Sequence, residues 1–399
     1  MSADTPLAVY VHWPFCESKC PYCDFNSHVT EAVDHAAWRH ALLSELRHFA
    51  ERTAGRRVGS LYFGGGTPSL MDAATVSALV EAAGALWGFA DDPEITLESN
   101  PSSAEAERFD GYRAAGINRL SIGVQSLRPE ALTFLGRRHD ADQARRALEW
   151  ARSRFERYSF DLIYGLPGQT AADWRAELHE ALALAGDHLS VYQLTIEPGT
   201  PFFRDGVAGA EEDLAADLFH ETRALLTEAS MPAYEVSNHA RPGGESRHNL
   251  AYWHGRDYVG VGPGAHGRLT LADGFIATHQ IHDPARWLAR VGETGQGTAK
   301  ERRLDVRERA EEMVMTGLRT RDGLDLAGLE AATGVAFADM ADAGEVQRCI
   351  DAGLLTEGAG HLYATEAGML TLNALLAHLL TPFENSLEAF SEDPGADLS

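Results

Sequence analysis

From the N-terminus to about residue 200, short β-branched and aromatic runs alternate with longer Ala-, Leu- and Arg-rich stretches whose apolar positions recur at helical spacing. LAVYVHW, SLYFGG, EITLESN, RLSIGVQS, FDLIYGLP and LSVYQLTIEPG read as six strands. Helices are predicted between them near residues 36–52, 72–88, 103–115, 140–154 and 171–185. Strands joined by helical crossovers lie parallel, and six such units close only part of a barrel. The expected fold is therefore α/β, a partial (β/α)6 barrel with an open side and its chemistry at the C-terminal strand ends. SSAE at 102–105 and TAAD at 170–173 carry the capping-box pattern, and Gly116 is a candidate helix stop.

Beyond the first segment, residues 1–235, the rhythm weakens. Residues 236–304 are rich in Gly, His and aromatics and read as a connecting layer of loops and short strands. Helical periodicity returns in 305–382, where EVQRCIDAGLLTEGAGHLYAT predicts a helix, a strand, a Gly-Ala-Gly turn and a second strand before a last helix capped by Thr365. That is a helical, winged-helix-like module. Residues 383–399 form an acidic tail.

Composition narrows the function. The chain has 399 residues, 44% hydrophobic and 23% charged, the balance of a soluble globular protein. A net charge of -25 argues against a nucleic-acid partner, which normally requires a basic stripe. No apolar run is long enough to span a bilayer, so a cytoplasmic location is expected, with any membrane contact peripheral and through a partner.

Three of the four cysteines, Cys16, Cys20 and Cys23, follow the first strand as CxxxCxxC. Cys349, alone in a helical pattern, reads as a small buried hydrophobe. Clustered thiolates suit an iron–sulfur cluster, or a zinc ion completed by His12 or His28. GGGTP, about forty residues later at the next strand end, removes successive Cβ atoms, which suits either close approach of backbone to a ligand or a tight strand-to-helix turn.

With these motifs the chain resembles the radical S-adenosylmethionine (SAM) superfamily, and within it the oxygen-independent coproporphyrinogen III oxidase group. The resemblance spans nearly the whole chain. It implies that Cys16, Cys20 and Cys23 hold three irons of a 4Fe-4S cluster whose fourth iron is chelated by SAM. Electron transfer from the cluster into the sulfonium would then generate a radical. Matched motif by motif, the resemblance places Tyr10 and Tyr22 near the adenine, and Gly65, Gly66 and Thr67 at the methionine end. Glu98, Gln125, Arg137 and Asp161 complete the SAM shell. Carboxylates and amides can hold ribose hydroxyls, and a guanidinium can pair with a carboxylate.

Two departures set the chain apart from the oxidases, whose motif continues to a further cysteine and whose N-terminal extension is longer. Phe25 stands at that cysteine position, and the first strand begins within about ten residues. CDFNSH and HNLAYWHGRDYVGVGPGAHG resemble instead the haem-chaperone branch of the group. This implies haem binding by His248, Asn249, Tyr252 and Trp253, and delivery to haem-accepting proteins. His12, His239, His254 and His266 are other candidate ligands. Coproporphyrinogen oxidation and a zinc-stabilised, redox-inert protein are the alternatives.

Overall fold

The computed structural model describes residues 5–30, 32–102 and 108–380. The capping box expected at 102–105 and the acidic tail at 383–399 lie outside the described residues. All six predicted strands form: β1 (Leu7–Trp13), β2 (Val58–Gly65), β3 (Phe89–Ser99), β4 (Arg119–Gln125), β5 (Arg157–Tyr164) and β6 (His188–Gln193). Each lies parallel to the next in chain order. At the far edge β7 (Asn238–Ala240) runs antiparallel to β6.

Residues 258–304 continue the same sheet on the other side of β1. There β8 (Tyr258–Val261) is parallel to β1, and β9 (His266–Leu271), β10 (Gly274–Gln280) and β11 (Thr298–Leu304) follow antiparallel. The resulting order is β11-β10-β9-β8-β1-β2-β3-β4-β5-β6-β7.

Alternation along the strands divides the sheet's two faces. In β4, Leu120, Ile122 and Val124 are fully buried on one face, while Arg119, Ser121, Gly123 and Gln125 occupy the other. The apolar face packs on the helices. His35–Arg52 contributes Trp38, Leu42, Leu46 and Phe49 at three- and four-residue spacing, and consecutive crossover helices pack on one another. Their ends follow the sequence signals: Thr170 and Asp173 form a reciprocal capping box, and Gly116 adopts φ +99 just after the Phe109–Ala114 helix.

A second apolar cluster lies beyond residue 305, built on Val314, Leu318, Leu329, Leu362 and Leu376. Its short strands Leu324–Asp325, His361–Ala364 and Leu355–Gly358 form an antiparallel sheet in that order, and the Thr365 hydroxyl accepts from Gly368 N to cap the following helix. Cys349 is buried within this cluster. Arg309 donates to the Gly255 carbonyl and Arg268 pairs with Glu312 at 2.9 Å, fastening the module to the barrel. Among the described residues, no helix is long and apolar enough to cross a membrane.

Candidate functional site

The cysteine loop is closed at its base by pairing of Phe15–Cys16 with His28–Val29, and it rests on the GGGTP turn. Gly66 N donates to Trp13 O at 2.7 Å and Thr67 N to Phe15 O at 2.8 Å. Gly65 adopts φ +115, where a Cβ would lie 2.6 Å from the His12 ring; one on Gly66 would lie 2.8 Å from Phe15 O. The atoms that a Cβ would meet belong to the end of β1 and the start of the cysteine loop, so these glycines serve a tight strand-end turn, while Gly65, Gly66 and Thr67 also line the cleft beyond it.

Cys16, Cys20 and Cys23 are free thiols on one cleft of about 560 Å³. The Thr67 hydroxyl donates to Cys16 Sγ at 3.4 Å, Arg137 Nη1 donates to Cys20 Sγ at 3.2 Å, and Cys23 Sγ lies 3.7 Å from Ser27 Oγ. Burial pushes the Cys16 and Cys23 thiols up. The histidines that a single zinc would require are engaged elsewhere. His12 contacts Tyr10 OH through Nδ1 and Asn26 O through Nε2, and His28 Nε2 contacts Asn26 Oδ1. Among the described residues no three His, Cys, Asp or Glu side chains are gathered to hold one metal ion. Tetrahedral zinc needs a fourth donor beside the three thiols, and His12 spends both ring nitrogens on Tyr10 and Asn26.

Glu98 and Gln125 at successive strand ends, Asp161 within β5, and Arg137 just after the helix Pro129–Phe134 all line this cleft. Glu98 accepts from Tyr62 OH at 2.8 Å and Gly65 N at 3.2 Å; burial, with Asp161 adding repulsion, raises its carboxyl to about 7. Burial raises Asp161 to about 6 against a hydrogen bond from Ser190. Gln125 sits at φ 68, a costly conformation for a residue with a side chain, where β4 loses register with β5. Arg137 Nη2 donates to Asn100 Oδ1 at 2.6 Å and Gly123 O at 2.8 Å, while its Nε is buried without a hydrogen-bond partner. Among the described residues no carboxylate pairs with Arg137, which lines a cleft that also holds two carboxylates. Such a mixture fits a zwitterionic nucleoside beside the thiols. Tyr22 closes one side, its ring 6.3 Å from Phe202.

Tyr10 is not brought to this cleft. It lies three residues inside the end of β1, roughly 10 Å below the mouth at strand spacing, with its ring 6.2 Å from Tyr62. There it lines a second cavity of about 480 Å³ that shares Phe25, Gly65, Glu98, Ser121, Asp161 and Tyr192 with the first. The two are upper and lower parts of one lumen.

The lower part is floored by the helix Arg247–Trp253, which starts where Ser246 Oγ accepts from Asn249 N. His248 is buried, with Nδ1 3.0 Å from Ser60 Oγ, Nε2 3.1 Å from Tyr252 OH and its ring stacked on Tyr62 at 4.8 Å. Burial lowers His248 to about 3, so the ring is neutral. Asn249 also faces the lumen and donates to Tyr234 OH at 3.4 Å. Trp253 does not. Five residues after His248 it points about 140° away around the helix, and its ring lies under Arg319 at 5.1 Å. The expected aromatic face is thus supplied by Tyr62 and Tyr252 rather than Trp253. His239 and His254 line neither cavity.

Two residues escaped the sequence reading. Arg119 is 2% exposed, lines the lower cavity, and its Nε, without a hydrogen bond among the described residues, forms a 3.9 Å ion pair with Glu94. Its alternation with Ser121 and Gly123 was the available signal. Asn26 ties the cysteine loop to a distant segment, donating to Pro263 O at 3.0 Å and His282 O at 2.9 Å; no local pattern announces a partner so far along the chain.

The radical SAM superfamily model matches residues 10–181, and the HemN C-terminal domain model matches 304–371. Mouse radical S-adenosyl methionine domain-containing protein 1, mitochondrial, is 40% identical over 100% of this chain and 92% of its own. The haem chaperone HemW of Escherichia coli is 38% identical over 93% of this chain and 97% of its own. The structure of the E. coli coproporphyrinogen III oxidase HemN superposes with a TM-score of 0.80 at 27% identity, covering 95% of this chain and 91% of that one.

Proposed function

Since the chain belongs to the radical SAM superfamily, in the group that contains HemN and HemW, we propose that it is a haem chaperone, binding haem in the barrel lumen and passing it to acceptor proteins. The observation that carries this reading is Phe25. At the position where the oxidases are expected to place a further cysteine, this chain exposes 61% of a phenylalanine on the wall shared by both cavities. An aromatic there offers a porphyrin face a contact and offers iron nothing. The likeness to HemN supports the common barrel and does not separate delivery from oxidation.

In this reading Cys16, Cys20 and Cys23 hold the cluster, and Gly65, Gly66, Thr67, Glu98, Gln125, Arg137 and Asp161 hold SAM. Cluster and SAM, when bound, supply low-potential electrons and a cleavable sulfonium. Arg137 places a cation against the Cys20 sulfur and offsets its charge as a thiolate. Its orphaned Nε is the donor left for a carboxylate, and Glu98 and Asp161 are the acceptors for amino and hydroxyl groups. Tyr62 and Gly65 N orient Glu98.

The test is anaerobic reconstitution with iron and sulfide, followed by parallel haem titration and incubation with coproporphyrinogen III, SAM and a reductant. A saturable Soret band without protoporphyrinogen formation is expected. Sustained protoporphyrinogen formation would place the chain among the oxidases.

A further inference from the structure

Four histidines line the lower cavity: His12, His188, His248 and His266. Both ring nitrogens of His12 and of His248 already have hydrogen-bond partners. His188 is 1% exposed, and its Nε2 is 2.9 Å from Tyr234 OH. His266 differs. It is exposed, and among the described residues neither of its ring nitrogens makes a hydrogen bond. Its one close ring contact is with His279, its cross-strand partner in β10, whose imidazole stacks at 4.1 Å and 18°.

Stacking fixes a ring by its face, whereas a metal is bound through the lone pair in the ring plane. His279 therefore orients His266 without occupying its ligating atoms. Resting on the haem-chaperone reading above, we infer that His266, rather than His248 of the HNLAYW helix, supplies the axial imidazole to the haem iron.

The surroundings of His266 are built for the task. Gly262, Gly264 and Ala265 precede it, and Gly262 adopts φ +99 where a Cβ would lie 2.4 Å from His12 O. Buried Glu45 accepts from Gly262 N at 2.8 Å and holds this turn from behind. On its inner side Asn26 donates to Pro263 O, so the loop bearing Phe25 is stapled to the turn bearing His266. Phe25 and Tyr192, exposed by 61% and 40%, line the same cavity as His266 and offer aromatic surface beside the ligating ring. An exposed imidazole of ordinary basicity is mostly neutral at pH 7, so the ring can offer its lone pair.

The experiment compares the reconstituted full chain with its His266→Ala and His248→Ala variants by Soret titration and resonance Raman spectroscopy. Circular dichroism and iron–sulfur absorbance serve as controls for folding. The intact chain should show a histidine-ligated spectrum, and His248→Ala should keep the iron–histidine signature whatever affinity it loses from the altered lumen floor. In His266→Ala the iron–histidine signature should vanish and haem affinity should fall by about tenfold or more, with added imidazole restoring the signature. Retention of that signature by His266→Ala, or its loss only in His248→Ala, would overturn the assignment and leave the functional reading standing. No Soret change in the intact chain would overturn both. If His266→Ala folds poorly, His266→Gln gives the same readout with a polar side chain of similar reach.

Discussion

Glu98 carries the clearest pH signature of any residue in the lumen. Its carboxyl is raised from 4.5 to about 7, chiefly by burial, so the folded chain holds a proton that the unfolded chain gives up earlier. Stability from this group is complete below about pH 4.5, declines as pH rises toward 7, and then levels off. Glu98→Gln removes the titration. The cofactor-free variant should therefore gain on the parent by about 2 kcal/mol between those limits, less than the full shift would give because water reaches the lumen. Chemical denaturation at a series of pH values measures it, and parallel curves would refute the buried-carboxyl description. Residue identity at this scale was legible where the chemistry is local: three thiols in eight positions declared themselves. Arg119 did not, and His266 stood only as one candidate ligand among several, because an arginine or histidine in a strand declares its role only once the register shows which face it occupies.

The element with the most to lose from a single change is the cysteine loop. Asn26 joins it to residues 263 and 282 through two side-chain hydrogen bonds and also receives His28. Asn26→Ala should cost about 1–3 kcal/mol. Hydrogen exchange should quicken in residues 16–28 and 262–266 while β3, β4 and β5 keep their protection; a uniform change would mean the staple is incidental. The β/α alternation could be read from periodicity because each crossover unit buries its apolar residues locally. The pairing of β8 with β1 could not. It joins residues about 250 positions apart in a Gly-rich segment whose glycines are dictated by neighbours such as the His12 carbonyl and the His266 backbone. The helix Arg247–Trp253 shows the same divide: its motif was visible, yet the direction of each ring followed only from the helical phase.

At the scale of the whole molecule, the C-terminal module is held to the barrel by Arg309, Arg268 and the Arg319–Trp253 contact. Trp253→Ala should weaken that attachment by about 2 kcal/mol. Calorimetry should show the module unfolding earlier, while haem titration stays unchanged because the indole lies outside the lumen. Lost haem affinity at unchanged stability would return Trp253 to the binding site. The central claim is that the lumen carries haem in order to release it to another protein. Its most direct test is to load the reconstituted chain, remove free haem, and follow the Soret spectrum on adding an excess of an apo-haemoprotein. The account predicts that haem leaves the chain and appears in the acceptor in equal amount, faster than it dissociates in the acceptor's absence. Haem that stays bound, or escapes at the same rate with or without the acceptor, would contradict it.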